Sequence, residues 1–208
     1  MHYPASELVI DPLLIRSHDV GGPRYTSYPT ADRLVEAFGE LELAQWLAKR
    51  NIGGFGLPLS VYVHLPFCDT LCYYCGCNKV VTRDHSRSAR YVQFLEKELA
   101  LLDRHLGGDR QVSQMHWGGG TPTFLSREEM KSLCDALKRE FVFNQDMECS
   151  IEVDPRRCAP GTLAFLGELG FNRVSIGVQD FDAAVQKAVH RAQSEAETRR
   201  VIEEARQG

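Results

Sequence analysis

The residues best suited to chemistry in this 208-residue chain are four cysteines within ten consecutive positions. Cys68, Cys72 and Cys75 follow the spacing C-x3-C-x2-C, and Cys77 adds a C-x-C step. Compact spacing lets several thiolates converge on one site, and three thiolates suit an iron–sulfur cubane with one iron left open. We therefore predict a metal centre in this loop, with the three spaced cysteines as its ligands.

The alternative is a zinc-stabilised structural module that uses all four cysteines. Zinc loops usually pair two C-x2-C elements across a longer span, whereas these cysteines are crowded together. A disulfide framework is disfavoured, because seven cysteines are an odd total and Met1 to Arg16 show no signal-peptide pattern. We therefore expect a reducing, cytoplasmic setting, in which a dense cysteine cluster is typically metal-binding or redox-active.

The composition excludes several classes of protein. Hydrophobic residues make up 43% and charged residues 25% of the chain, as in ordinary globular domains. The net charge of −4 argues against a dedicated nucleic-acid binder. The most apolar segment, residues 57–67, is interrupted by Ser60 and His64 and is shorter than the ~20 residues that cross a bilayer. We expect neither a nucleic acid nor a membrane as a partner.

The cysteines need a regular scaffold, and alternating strand and helix patterns begin at Ser60. Strands are predicted over 60–66, 112–117, 147–153 and 173–178, and helices over 88–106, 126–141, 162–169, 182–189 and 194–206. This β-α order implies right-handed βαβ units and a mostly parallel sheet. Four strands do not close an eight-stranded barrel, which needs about 250 residues. We therefore predict an α/β fold that is an incomplete (β/α) barrel of about four units.

The segment before the scaffold has a different character. Residues 1–39 lack clear periodicity and are predicted to form an extended arm, followed by a short helix over 40–51. Gly53, Gly54 and Gly56 then break the chain. We therefore divide the chain into an N-terminal arm with its helix, residues 1–56, and a core over residues 57–208.

Unusual polar and glycine-rich motifs follow each predicted strand. The second strand ends in WGGGTPT (117–123), the third in EVDPR (152–156) and the fourth in GVQDF (177–181), and a later element carries HRAQ (190–193). The carboxyl ends of parallel strands meet at one edge of a sheet, and α/β proteins bind ligands there. We expect these motifs to form one site with the cysteines.

These motifs resemble those of the radical S-adenosylmethionine (SAM) superfamily, since the three-cysteine spacing is combined with Tyr74 just before the third cysteine. The segments YVHLPFC (62–68), CGCNK (75–79) and PRYTSYPTA (23–31) are similar to the oxygen-independent coproporphyrinogen III oxidases within it. The resemblance implies a radical SAM core, of which this chain looks like the N-terminal half.

The resemblance also implies roles for individual residues. Cys68, Cys72 and Cys75 would bind a [4Fe–4S] cluster whose open iron takes the amino and carboxylate groups of SAM. Tyr62 and Glu152 would lie at the reacting centre as catalytic residues. The implied SAM-contacting residues are Tyr62, Tyr74, Gly119, Gly120, Thr121, Glu152, Gln179 and Arg191.

The implied reaction is the oxidative decarboxylation of two propionates of coproporphyrinogen III, giving protoporphyrinogen IX in haem biosynthesis. We expect a monomer that takes electrons from a donor the sequence does not identify. Arg24 and Cys77 are the candidate substrate residues. Arg24 is chosen because its guanidinium group matches the carboxylate of a propionate. If Cys77 ligated the cluster, the open iron would be lost, so we expect it to stay free.

Two further functions share these motifs, namely a haem chaperone and a haem-degrading radical SAM methyltransferase. That haem-handling group typically carries an aromatic residue where Cys77 stands, so Cys77 favours the decarboxylating oxidase. Cys134 and Cys149 fall on apolar faces and are predicted to be core residues, while Cys158 has no predicted role.

Overall fold

The computed structural model describes residues 11–21, 30–49, 58–106 and 110–207. Arg24 and the three glycines between residues 53 and 56 lie outside the described residues, so the predicted boundary after residue 56 stays a prediction. The chain divides into two compact units, Met1–Leu43 and Ala44–Gly208. Within the described ranges, no helix is long and apolar enough to cross a membrane.

The N-terminal unit contains a helix that the sequence pattern does not predict. Helix α1 (Pro12–His18) begins after Asp11, whose carboxylate accepts a 2.8 Å hydrogen bond from the Leu13 amide. Asp-Pro supplies an N-cap and a first-turn residue suited to a helix, so the prediction of an extended arm is wrong here. Because the apolar residues of α1 are exposed, burial leaves no periodic signal. The predicted short helix is confirmed as α2 (Glu40–Lys49).

A four-stranded parallel sheet forms the core of the second unit, in the order β1-β4-β5-β6. Its strands are β1 (Leu59–Leu65), β4 (Gln111–Gly119), β5 (Val142–Val153) and β6 (Arg173–Ile176). Two short strands of two residues each, β2 (Phe67–Cys68) and β3 (Val80–Val81), pair in parallel and close the cysteine loop at its base. Each main strand pairs with the next along the chain, as in a barrel that has begun to form, so the predicted fold class is confirmed.

Three helices connect the main strands, namely α3 (Ser86–Leu106), α4 (Arg127–Glu140) and α5 (Thr162–Leu169). Two further helices follow β6, namely α6 (Ala183–Ala188) and α7 (Glu195–Gln207). The predicted capping box is present at α4, where Ser126 Oγ accepts from the Glu129 amide and the Glu129 carboxylate accepts from the Ser126 amide. Helix α5 ends at Gly170, which has φ of 105°.

Alternation along the strands separates an apolar face from a polar one. Leu65, Trp117 and Ile151 are fully buried beneath the helices, and each such side chain stabilises the fold by about 1.5–3 kcal/mol relative to exposure. The opposite face carries Tyr62 and Glu152 among other polar residues. In a (β/α) barrel this second face points inward, so the polar side chains lie where a substrate would enter.

The end of β4 crosses the start of the cysteine loop at very short range. The Gly120 amide donates to the Leu65 carbonyl and the Thr121 amide to the Phe67 carbonyl, both at 2.8 Å. A Cβ at Gly120 would lie 2.6–2.7 Å from backbone atoms of Pro66 and Phe67. Only glycine fits here, and the packed crossing fixes where the loop begins.

Replacing Gly120 with alanine is therefore expected to destabilise the protein by about 1–3 kcal/mol, because backbone atoms must shift to admit the methyl group. The measurement is the free energy of unfolding from chemical denaturation. Gly167→Ala is the matched control, since nothing lies within 4 Å of its Cβ position in helix α5. That variant is expected to be more stable by about 0.5–1 kcal/mol. Equal stability of the two variants would contradict the close crossing.

Candidate functional site

The four clustered cysteines line one cleft of about 260 Å³ at the carboxyl edge of the sheet. Cys72 is buried, Cys68 and Cys75 are half-buried and Cys77 is exposed. A zinc site places its ligands tetrahedrally around one ion. Among the described residues, no three His, Cys, Asp or Glu side chains are grouped to hold a single ion. A cubane cluster instead distributes its thiolate ligands over separate irons.

The same cleft collects most of the residues that sequence reasoning assigned to SAM. It is lined by Tyr74, Gly119, Gly120, Thr121, Glu152, Gln179 and Arg191. Tyr62 is the exception: it lies on the polar face of β1, 58% exposed, with its ring stacked on that of His116 at 5.8 Å between centroids. Arg24 lies outside the described residues. Cys77 lines the cleft together with Cys68, Cys72 and Cys75.

Backbone hydrogen bonds determine what the glycine run can offer a ligand. The amides of Gly120 and Thr121 already donate to the chain, and the Gly119 amide donates to Glu152 Oε2 at 3.3 Å. Thr121 Oγ1 lies 3.6 Å from Cys68 Sγ. The amide groups of these three residues are therefore already bonded within the protein.

Glu152 lies in a polar cluster on the inner face. His116 Nε2 is 3.5 Å from Glu152 Oε1, and the other ring nitrogen of His116 is 2.7 Å from Ser150 Oγ. Gly118 leaves room for this cluster, since a Cβ there would lie 3.0–3.2 Å from His116, Glu152 and Tyr62. Burial, followed by the negative charge of Glu152, raises the pKa of Tyr62 above its usual value. Tyr62 is therefore a neutral hydroxyl donor at this site.

An ion-pair group that sequence reasoning missed lies against Cys72. Asp154 binds Arg156 at 2.6 Å and Arg191 at 3.6 Å. Arg156 Nη2 and Arg191 Nη1 lie 3.7 and 3.9 Å from Cys72 Sγ. Burial opposes ionisation of Asp154, but the hydrogen bond and charge of Arg156 and the charge of Arg191 outweigh it and lower the pKa. The Asp-Pro-Arg motif was visible in the sequence, but the contact between its arginine, Arg156, and Cys72 was not.

The cysteine loop is attached to two distant segments. Asp69 pairs with Arg157 after β5 at 3.1 Å. His190 Nδ1 lies 2.6 Å from the Leu71 carbonyl, and the His190 ring stacks on that of Tyr73. His190 has φ of 55°, a left-handed conformation unusual for a non-glycine residue. Arg157 holds the loop against the segment after β5, and His190 holds it against the segment after α6. Nothing in sequence spacing indicates either contact.

Arg191 is held in the cleft from several sides. Its Nη2 donates to the Gly177 carbonyl at 3.0 Å, and its Nε donates to Gln193 Oε1 at 3.3 Å. Gln193 is buried and bonds to Thr198 in α7 at 2.9 Å. A guanidinium group fixed in this way is preorganised for an anionic ligand.

Lys79 shapes the end of the cysteine loop. Its ammonium donates to the carbonyls of Cys75 at 2.9 Å and Cys77 at 3.4 Å. Cys77 lines the cleft with an exposed side chain. Partial desolvation of its sulfur, followed by the charge of the neighbouring Cys75, raises the pKa of Cys77. Cys77 is therefore available as a neutral thiol near the opening of the cleft.

The other three cysteines are inert core residues. Cys134, Cys149 and Cys158 are almost fully buried, and burial raises their pKa values to about 11, 12 and 11 respectively. The prediction that Cys134 and Cys149 belong to the core is confirmed. Cys158 packs in the same core, which gives it a structural role that the sequence did not indicate.

Comparisons with known proteins agree with this geometry. The family model described as the radical SAM superfamily matches residues 62–208. The oxygen-independent coproporphyrinogen III oxidase of Pseudomonas aeruginosa is 50% identical over 195 residues, covering 93% of this chain and 42% of the relative. The Escherichia coli enzyme of the same name is 48% identical over 185 residues, covering 89% and 39%.

A solved structure described as Escherichia coli coproporphyrinogen III oxidase, a radical SAM enzyme, matches with a TM-score of 0.83 and 44% identity. The match covers 95% of this chain and 43% of that one. The chain thus spans about two fifths of the length of the curated relatives it matches.

We expect alkylation to separate the exposed Cys77 from the three core cysteines. In the folded protein at about pH 8, iodoacetamide is expected to label Cys77, because its side chain is exposed. Cys134, Cys149 and Cys158 are expected to stay unmodified, because they are buried and burial raises their pKa values to about 11, 12 and 11, which leaves little reactive thiolate. Mass spectrometry of peptides after quenching measures each site. The unfolded protein is the control, in which all four should react alike. Labelling of Cys149 as fast as Cys77 would show that the core is open.

Proposed function

The chain belongs to the radical SAM superfamily, and on that premise we propose that it is the cofactor-binding part of an oxygen-independent coproporphyrinogen III oxidase. The proposed reaction converts two propionates of coproporphyrinogen III into the vinyl groups of protoporphyrinogen IX, with release of carbon dioxide. The observation that carries the proposal is one cleft that joins the three spaced cysteines to Gly119, Glu152 and Arg191. Relatives that bear this enzyme name match 89–93% of the chain, which supports the choice of substrate.

The donor set fits the [4Fe–4S] cluster and the SAM that the family implies. Three cysteines of one loop face the cleft, and cationic donors lie next to Cys72. We propose Cys68, Cys72 and Cys75 as ligands, with one iron left open for SAM. When bound, this pair supplies a carbon-centred radical that abstracts hydrogen from the substrate, and the protein supplies binding, orientation and exclusion of water.

The cleft residues divide the binding of SAM by charge. The carbonyls of Gly119 and Gly120 suit the ammonium group, because the adjacent amides already bond within the chain. The fixed guanidinium of Arg191 suits the carboxylate. Glu152 accepts from hydroxyl donors, while Tyr74, Thr121 and Gln179 add polar contacts along the cleft.

The inner face of the sheet provides the substrate side of the proposed site. Tyr62 and Glu152 lie there next to each other, and we propose them as the residues closest to the reacting propionate. Cys77 lines the same cleft as an exposed free thiol. Arg24 is kept as a propionate-binding candidate from the sequence alone.

The proposed setting is a reducing cytoplasm, in which a monomer receives electrons from a separate protein or small-molecule donor. The free state of all seven cysteines supports that setting.

The oxidase is tested with full-length protein, loaded with iron and sulfide and reduced without oxygen. With SAM and coproporphyrinogen III, we expect methionine, 5′-deoxyadenosine and the divinyl product, detected by liquid chromatography and mass spectrometry. SAM cleavage without vinyl product would overturn the oxidase and leave the superfamily chemistry. Haem binding without SAM turnover would favour the chaperone. Haem breakdown with methyl transfer would favour the methyltransferase. Zinc without iron in the purified protein would favour the structural module.

Single-cysteine variants test the ligand assignment. Cys72→Ser is expected to lose most of its iron and sulfide and all detectable SAM cleavage, because a hydroxyl is a poor replacement for a thiolate ligand. Cys77→Ser is expected to retain parental iron and sulfide content, since Cys77 is proposed to be free.

Metal and sulfide analysis of anaerobically purified full-length protein measures the difference. Cys134→Ala is the matched control, because it also removes one of the seven cysteines but changes no proposed ligand. It should retain its cluster. Loss of iron from Cys77→Ser, with retention in Cys72→Ser, would contradict the assignment.

A further inference from the structure

Cys72 differs from the other proposed ligands in the charges around its sulfur. It is the most buried of the three, and two guanidinium groups contact its sulfur. Arg156 Nη2 lies at 3.7 Å and Arg191 Nη1 at 3.9 Å. By contrast, Cys68 Sγ contacts the neutral hydroxyl of Thr121 at 3.6 Å. Cys75 lies near the single ammonium group of Lys79, which donates to the Cys75 carbonyl at 2.9 Å. Cys72 is thus the proposed ligand whose sulfur contacts two guanidinium groups.

Asp154 fixes the nearer of the two guanidinium groups. Arg156 Nε lies 3.0 and 3.2 Å from the two Asp154 oxygens, and Nη2 lies 2.6 Å from Oδ2. The Arg156 amide also donates to Asp154 Oδ1 at 3.1 Å. The side chains of Arg156 and Asp154 are only 16% and 9% exposed, so solvent screens them weakly.

Arg191 and Arg156 have different tasks in this arrangement. Arg191 has the proposed role of binding the SAM carboxylate, whose negative charge offsets its own. Arg156 has no such partner among the SAM groups assigned above, and its second partner beside Asp154 is the Cys72 sulfur. It therefore keeps a cation next to the cluster ligand whether or not SAM is bound.

We propose that Arg156, held by Asp154, is a positioning residue that raises the reduction potential of the cluster through Cys72. The inference rests on the proposed function, since it requires the cluster. Reduction adds one negative charge to a cluster, and a buried cation that donates to a ligand sulfur stabilises the added charge. The contact makes the reduced state accessible to the donor.

Arg199 in helix α7 provides a matched control of the same charge. It pairs with Glu195 at 2.6 Å and its side chain is 66% exposed. Solvent and counterions screen an exposed charge far more than a buried one. Removing Arg199 changes the net charge of the protein by the same amount as removing Arg156, without touching the Cys72 contact or the cysteine loop.

The test is a redox titration of the full-length, cluster-loaded protein, followed by electron paramagnetic resonance of the reduced cluster. Arg156→Gln is expected to lower the equilibrium constant for reduction about tenfold, equivalent to a shift of ~59 mV to more negative potential for one electron. Asp154→Asn keeps an amide oxygen that accepts from Arg156 and removes only the anion, so it is expected to shift the potential in the positive direction. Arg156→Lys restores the charge and should recover most of the loss.

Arg199→Gln is expected to stay within about twofold of the parent, because its charge is screened. Equal shifts for Arg156→Gln and Arg199→Gln, or shifts of the same sign for Arg156→Gln and Asp154→Asn, would overturn the inference. If Arg156→Gln loses its iron, the direction of the potential shift is read from Asp154→Asn, and Arg156→Lys should keep a potential close to that of the parent. A parent protein without a cluster overturns the proposed function as well, whereas a loaded, active parent with no shift overturns only the role of Arg156.

Discussion

The candidate site depends on one buried ionic group, the Asp154 carboxylate between the guanidinium groups of Arg156 and Arg191. Both guanidinium groups also contact Cys72, so the group joins the loop after β1 to the ends of β5 and β6. Backbone hydrogen bonds already join the loop after β4 to the start of the cysteine loop. Side-chain charges add the segment after β5 and Arg191 to this arrangement, and removing one partner would leave an uncompensated buried charge.

Backbone packing provides the second constraint, and it explains the glycines after β4. Gly120 is required because the chain crosses Pro66 and Phe67 too closely for a Cβ, and Gly119 has φ of 114° with its Cβ position only 2.7 Å from the His64 ring. Hydrogen bonds within the protein occupy the amide donors of Gly119, Gly120 and Thr121. The same packing that anchors the cysteine loop thus determines which chemical groups a ligand meets.

Predictability differed between the elements and the contacts among them. The four main strands and the helices from Ser86 onward follow hydrophobic periodicity and capping signals, and the structure confirms them. Helix α1 escaped prediction because its apolar residues are exposed, and the β2–β3 pair because two residues carry no periodicity. Among site residues, Glu152 and Arg191 were assigned to SAM by the family resemblance, and both line the cleft.

The amino-acid sequence by itself determined the alternating β-α order, the three-cysteine spacing and the edge of the sheet where the motifs meet. These follow from local patterns and from the rule that parallel strands place their carboxyl ends together. Only the tertiary structure decided that Arg156 folds back onto Cys72, that His190 holds Leu71 and that Cys158 is buried. Such contacts join residues more than eighty positions apart in the first two cases, and no local pattern encodes the distance between them.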